Sequence, residues 1–583
     1  MGQLNFTLDL REPARRHVHV TLVIDFAEAD QVDGLEFLLP AWTPGSYLIR
    51  DYCRHIGDFR VENAESGESL PWRKTAKNRY RVTPPTGCSR GALRYSVYAH
   101  ELTVRTSDLT DSHAFISGAT VFLWPVSDPG AKAVVRLQVP DSWGVATSLR
   151  AVRETPGGWR LEGAGLDEFV DSPILAGSFS TLSFTALDRP HSLVLDGLNG
   201  IEPPETLVRD TAAIVEHAAA VFGGPPPYED YKFLCMFTDS GRGGLEHSAS
   251  SALLAPRSTF APEDSYREFM GLVAHEFFHV WNVKRMRPHE LWEFDYEREN
   301  HTELLWLAEG FTAYYDDHLC RRAGISTSRQ YLEVLAKTIS DLRQTPGRLR
   351  QSLSEASFDA WIRLYRPDEN TRNSTLSYYG NGALAAVSLD LHIRAQTAGS
   401  KSLDDAMANL YQRTYLAGRG YTFTDVEEVL GEVAGQDMAS RLHALVRQPL
   451  DPDFAALLAP FGLELEEAES QRAYLGIRVK TRSTDVASVL RDGPADIAGL
   501  MPGDELLAMD GHRVRSETWS KISRQVASVD SPLQVLVARR GRILTVTVRP
   551  TVQPATSLTI AKCSNPTPKQ DELRRGWLFD PEY

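Results

Sequence analysis

The stretch VAHEFFHVWNVKRMRP, Val273 to Pro288, sets a histidine, a glutamate and a second histidine within five residues. Its flanks predict a helix. Upstream, Ser265 and Glu268 spell a capping box, in which the serine oxygen accepts an orphan N–H and the glutamate reaches back to the cap. Downstream, Lys284, Arg285 and Arg287 complement the negative helix end, and Pro288 stops it. HEFFH is therefore expected mid-helix, on a rigid element. His275 and His279 are one turn apart, so both imidazoles leave the same face and can share one metal ion. Glu276 is rotated by about 100° from His275, beside the open coordination position. There a carboxylate can take a proton from activated water and later deliver it to a leaving amine. The competing reading is a polar helix stripe that happens to contain histidines. Two histidines are an incomplete site, because catalytic zinc usually takes three protein ligands and one water.

The third ligand is not the histidine of a metzincin, since Arg285 stands six residues after His279 and Asn282 stands where glycine would be. A glutamate on a following helix is the other common solution. ENHTELLWLAEGFTAYYDDHLCRRAG, from Glu299, predicts such a helix, with Asn300 as its cap, Glu303 three residues on and Gly324 as its stop. Glu309 is an acid in the apolar run LLWLAEGF. Burying a lone carboxylate there is costly unless it is paired or ligates a metal. Two turns further, Asp316 falls on the face of Glu309. It is expected either to accept a hydrogen bond from a ligand imidazole or to be an ordinary exposed helix acid.

The totals bound the rest. A chain of 583 residues is too long for one core. Its 42% apolar and 24% charged residues are those of an ordinary globular protein. A net charge of −15 argues against nucleic acid and against an anionic membrane surface as partners. No stretch of apolar residues is long enough to span a bilayer, and the N-terminus has no secretory h-region. The five cysteines lie far apart without a CxxC pair, which reads as reduced thiols in a cytoplasmic protein.

Periodicity divides the chain. Residues 1–185 alternate as strands, in HVHVTLVIDF and AVVRLQV for example, and predict a β-sandwich. Residues 186–465 open on the amphipathic LVRDTAAIVEHAAAVFGG and the buried strand YKFLCMF, and are mostly helical after 330. Short strands return over 470–552, and 553–583, rich in Pro, Lys and Asp, reads as a loosely ordered tail. In the sandwich, Trp42, Tyr47, Arg50 and Tyr52 are candidates either for the substrate entrance or for packing.

HEFFH followed by WLAEGFTAYY resembles the gluzincin metallopeptidases. The resemblance implies a thermolysin-like catalytic domain, one zinc ion held by His275, His279 and Glu309, and Glu276 as general base. GRGGLEHSAS, Gly241 to Ser250, resembles the exopeptidase loop of gluzincin aminopeptidases, which implies that Gly243, Gly244 and Glu246 meet the substrate and that Glu246 binds its α-amine. His247 stands where many relatives carry Asn. SYYGNGALAAVSLDLHIR resembles the segment bearing the transition-state tyrosine, which implies that role for Tyr379, with Tyr378 as the fallback. Asn381 stands where relatives usually have Lys. AYLGIRV with VLRDGPADIAGLMPGDELLAMDGHRV resembles a bacterial PDZ domain, whose Leu475, Gly476 and Ile477 would present N–H groups to a peptide's C-terminal carboxylate.

The order of β-domain, gluzincin domain and PDZ domain resembles the glycyl aminopeptidase family. That resemblance implies a zinc aminopeptidase for peptides with a free N-terminus, favouring glycine and alanine there. Two further readings stay open: an endopeptidase tethered by its PDZ domain, and a peptide-binding scaffold whose catalytic domain is a relic. His/His/Glu sites also accept cobalt or manganese.

Overall fold

The computed structural model describes residues 2–28, 30–468, 472–553 and 558–583. Its contacts divide the chain into two compact units, Met1–Asn300 with Tyr315–Ile325 and Tyr411–Tyr421, and His301–Tyr314 with Ser326–Leu410 and Thr422–Tyr583.

In the first unit the alternating stretches form strands as their period demands. His17–Asp25 buries Val18, Val20, Leu22 and Ile24 and turns the residues between them outward. It lies between Leu4–Asp9 and Arg90–Tyr98 in a seven-stranded sheet. Phe37, Tyr80, Trp124, Ala114 and Ile174, from two four-stranded sheets, share one core with Phe6, Leu8, Val20 and Leu22. The expected sandwich is there. It is shorter than 1–185, because Ser180–Ala186 (β1) pairs with Arg189–Asp196 (β2) and so opens another sheet.

That second sheet continues through Tyr231–Thr238 (β3), Gly243–Glu246 (β4) and Ser250–Pro256 (β5), in the spatial order β1-β2-β3-β5-β4. β2, β3 and β5 are parallel, and β4 is an antiparallel edge. YKFLCMF is buried almost throughout, as a parallel strand covered on both faces should be. Leu207–Phe222 (α1) crosses from β2 to β3, burying Leu207, Thr211, Ile214, Val215, Ala218 and Phe222 at helical spacing, and Gly223 at φ +65° ends it. Glu263–Phe278 (α2) follows β5. It starts after Pro262, two residues before the expected cap, and no side chain caps it. The first-turn acids Glu263 and Asp264 suit the positive helix end instead. Glu268 points to solvent and pairs with Arg242, so the capping box at Ser265 does not form.

In the second unit, helices precede Leu463–Glu467 (β6). The PDZ strands enclose their own core of Leu475, Val486, Leu506, Val535, Val537 and Val548. Ile477–Val479 (β7) pairs only with Val486–Val489 (β8) among the described residues. The expected first residue of this domain, Ser470, lies outside the described residues, as do 554–557. The tail is not loose. Leu558–Lys562 (β9) pairs with β6, and Pro568–Leu578 starts on a Thr567–Gln570 capping box. Leu573, Trp577 and Leu578 supply a buried stripe, with Trp577 against Tyr331 and Phe461. The polar composition of the segment conceals these few apolar anchors. All five cysteines are free thiols, and no helix among the described residues is long and apolar enough to cross a membrane.

Candidate active site

α2 buries Phe269, Met270, Val273, Ala274, Phe277 and Phe278, and with them His275, Glu276 and His279. HEFFH is not mid-helix. The regular helix ends at Phe278, with His279 as its C-cap. Beyond it the turns widen: the Lys284 N–H reaches His279 O, and the Met286 N–H reaches Trp281 O, each five residues back. This places the Asn282 carbonyl 2.5 Å from His279 Nδ1. A carbonyl oxygen only accepts, so Nδ1 carries the proton and Nε2 keeps its lone pair. His275 is set the same way, its Nδ1 3.0 Å from Asp316 Oδ2. The other oxygen of Asp316 accepts the Asp317 N–H at 2.5 Å.

The run expected as a single helix after Asn300 is two, Leu305–Ala308 (α3) and Gly310–Arg322 (α4), with Glu309 at the break. Asn300 caps neither. Its amide donates to Asp295 O and Arg298 O and accepts the Asp295 N–H, which closes the preceding turn. Gly324, at φ +72°, does end the second helix. Glu309 is only 2% exposed.

A Cβ on Gly310 would lie 2.5 Å from Gly382 Cα, and one on Gly382 2.8 Å from Trp306 O. Two glycines thus let Gly380–Gln396 (α5) touch the chain beside Glu309 backbone to backbone. Tyr379 is the N-cap of α5, and its hydroxyl is 3.1 Å from that of Tyr365. Burial, then the neighbouring Glu309 charge, holds the Tyr379 phenol well above its ordinary pKa, so it remains a proton donor. Tyr378 stacks on it and is fully buried.

Ligand atoms of His275, His279 and Glu309 all lie within 4.8 Å of one another, as do those of Glu246, Glu276 and His279. Two imidazoles and one carboxylate are a donor set that fits zinc. β4 is pressed against this cluster: a Cβ on Gly244 would sit 1.9 Å from Glu276 Oε1. A Cβ on Gly45, at φ +85°, would likewise sit 2.4 Å from either carboxylate oxygen of Glu246. Glu246 is buried and its Oε1 has no hydrogen-bond partner among the described residues, which suits it to a cation or a donor.

His247 follows β4 and turns toward Asp171. Its Nδ1 is 3.3 Å from Asp171, which also accepts the Ser248 N–H and pairs with Lys284 at 2.5 Å. Burial opposes the Asp171 charge, but Lys284 and His247 outweigh it and hold the carboxyl far below the usual range. Lys284, expected to complement the helix end, serves this network instead, whereas Arg285 and Arg287 do meet late carbonyls, Val280 O and Lys284 O. Trp42, Tyr47 and Tyr52 are buried, and Arg50 donates to Ser46, so the packing reading holds for that segment. In the PDZ domain, Gly476 is at φ +75°; its carbonyl accepts the Leu490 N–H, and that of Leu475 the Ala495 N–H.

Sequence reasoning missed Gly45, Gly310, Gly382 and Asp171. The glycine in AEGF, inside an expected helix, was the one available signal.

A mixed sheet with a glycine-rich edge strand, a histidine pair and a buried glutamate are the features expected of a gluzincin-type metallopeptidase site. The M61 glycyl aminopeptidase profile matches residues 268–385, the N-terminal domain profile of M61 peptidases residues 5–178, and a PDZ profile residues 473–549. These matches give the chain M61 glycyl aminopeptidase domains and a PDZ domain, and its catalytic class is that of an aminopeptidase. Its fold is similar to a crystal structure of an aminopeptidase N family protein from Idiomarina loihiensis, with TM-score 0.91, 29% identity, and coverage of 99% of this chain and 100% of that one. Weaker similarities reach an M1 zinc metallopeptidase from Deinococcus radiodurans (TM-score 0.48, 17% identity, 77% of this chain and 94% of that one). Aminopeptidase A from Legionella pneumophila, crystallised with aspartic acid, is comparable (0.47, 13%, 76% and 49%). No curated protein sequence matches.

Proposed function

We propose that the chain is a zinc aminopeptidase that removes small N-terminal residues, glycine and alanine, from peptides. The observation that carries this reading is the spacing of His275, His279 and Glu309, whose ligand atoms lie within 4.8 Å of one another, with Glu246 and Glu276 beside them. When bound, zinc polarises the scissile carbonyl and makes a water acidic enough to ionise near neutral pH. Glu276 accepts that water's proton and returns it to the leaving amine. Glu246, with its unpartnered buried oxygen, pairs with the substrate's α-ammonium. Gly243 and Gly244 border the substrate's path, and the backbone groups of Gly244 face it. Tyr379 donates its phenolic hydrogen toward the oxygen on which charge develops. Asp316 holds His275 in the tautomer protonated on Nδ1, with the lone pair on Nε2. The small-residue preference follows from the family and suits a site hemmed in at Gly45 and Gly244.

The proposed chain of domains is a sandwich, a catalytic domain extending to about residue 465, and a PDZ domain that binds peptide C-termini at Leu475, Gly476 and Ile477. The proposed compartment is the cytoplasm. A matched assay tests the function. Gly-Ala-Phe peptides with free and N-acetylated termini are offered to the zinc-loaded protein, with Glu276→Gln as the blank. Cleavage of the free-amine peptide alone is expected. Equal cleavage of both would make it an endopeptidase, and cleavage of neither, with zinc bound, a peptide-binding scaffold.

A further inference from the structure

β4 is an edge strand, and its ladder shows which of its groups face the open side. The His247 N–H donates to Ser250 O, so the pairing alternates back from there through Leu245 and Gly243. The N–H and C=O of Gly244 and Glu246 therefore face away from β5, where an extended peptide can lie. At this edge stands Arg105. Its Nη2 is 3.5 Å from Gly244 O, a long contact, and its Nη1 would be 3.7 Å from a Cβ on Gly243. Its Nε is buried without a hydrogen-bond partner, and no carboxylate among the described residues pairs with it. Tyr52 fixes its backbone by donating to Arg105 O at 2.8 Å. A guanidinium has five donors in a rigid fork suited to a carboxylate, and this one is left with little to bind.

The register says what it would meet. Glu246 takes the substrate amine, and Gly244 lies against Glu276, where the scissile bond must sit. The residue after that bond then runs toward Gly243 and Arg105. Glu246 and Gly244 are two residues apart, about 7 Å at the rise of a strand, and an extended dipeptide spans about the same.

We propose that Arg105 binds a carboxylate on the residue following the scissile bond, which makes dipeptides, or peptides acidic at their second position, the favoured substrates. This rests on the aminopeptidase reading for its direction along β4. Both sources share one chemistry, a carboxylate about two residues from the amine.

Calorimetry on the zinc-loaded Glu276→Gln protein, compared with the same protein also carrying Arg105→Ala or Arg105→Gln, tests it. The probes are Ala-Phe, Ala-Phe-amide and Ala-Glu-amide. Arg105→Gln can still donate to Gly244 O, so it removes the charge while retaining the strand contact. A carboxylate probe is expected to bind about tenfold tighter than Ala-Phe-amide, the gain of one charge-assisted hydrogen-bonded pair, and both Arg105 variants should abolish that gain. A gain with Ala-Phe alone assigns the α-carboxylate, and a gain with Ala-Glu-amide alone assigns the acidic side chain. Equal binding of all three probes, or a gain that survives both Arg105 substitutions, overturns the proposal. Turnover of Ala-Phe by the protein with Glu276 intact reads the other question separately. Carboxylate-dependent binding without turnover would sink the aminopeptidase reading and leave Arg105 its role.

Discussion

The HEFFH segment and the first strand segment of the PDZ domain, around Leu475 to Val479, treat polar groups in opposite ways. Around HEFFH the side chains are buried, and each histidine has one ring nitrogen committed to a fixed acceptor, Asp316 or Asn282 O. In the PDZ domain β7 is half-buried and, among the described residues, pairs on one edge only, and Trp519, Ile522 and Val526 cover the core without being buried themselves. Bond-breaking chemistry needs groups whose orientation is settled before substrate arrives, because reorientation would otherwise cost rate. Peptide capture by strand addition needs the reverse, backbone donors and acceptors left open for the ligand to complete.

Removing Glu276, the proposed general base of the buried region, should have the largest effect. Glu276→Gln is expected to lower kcat by about a thousandfold while zinc content per chain stays constant. Steady-state kinetics with metal analysis would reveal it, and retained activity would erase the contrast.

His113 extends the rule of buried, partnered groups to the sandwich. It lies between Asp196, 2.7 Å from Nδ1, and Asp108, 3.3 Å from Nε2. Burial disfavours its charge, but the two carboxylates prevail and raise its pKa to about 9. A raised histidine pKa stabilises the fold fully below the unfolded value near 6.5 and loses that contribution as pH rises through about 9. Melting followed from pH 6 to 10 should therefore show a decline, on the order of 3 kcal/mol in total, that His113→Gln flattens. A decline as steep in the variant would assign it elsewhere.

Asp316→Asn should weaken zinc affinity by roughly 10–100-fold, read by competition with a chelator, because the amide is a poorer acceptor for the His275 N–H. Unchanged affinity would mean that burial alone orients the ring. The smallest effect belongs to the open region. Gly476→Ala places a side chain at a left-handed φ and should cost about 1 kcal/mol, seen as a lower denaturant midpoint of the PDZ transition with zinc content unaltered.

Much of the site was legible because helical period and motif spacing act over one or two turns. His275 with His279, Glu309 within its apolar run, and Glu246 after its glycines all needed only local reading. Helix ends were the weak point. Ser265 had a capping partner three residues on, yet α2 starts at Glu263, and Asn300 was spent on the turn before α3. A capping residue is chosen among nearby groups by whichever backbone donors the surrounding fold leaves open, and local sequence does not record that. The segment after residue 553 failed for a related reason: its average composition is polar, while Trp577 and its neighbours alone decide that it packs.

Spacing along the chain by itself determined which side chains could share a metal, since residues one turn apart on a helix project together whatever the rest of the protein does. Only the tertiary structure decided the rest. Asp316 and the unwound turn at Asn282 select the imidazole tautomers. Gly45 closes over Glu246, Asp171 gathers Lys284 and His247, and Arg105 reaches the edge of β4. Each is an approach between segments far apart in sequence, made by packing and paid for in buried polar partners, and no local period encodes such a contact.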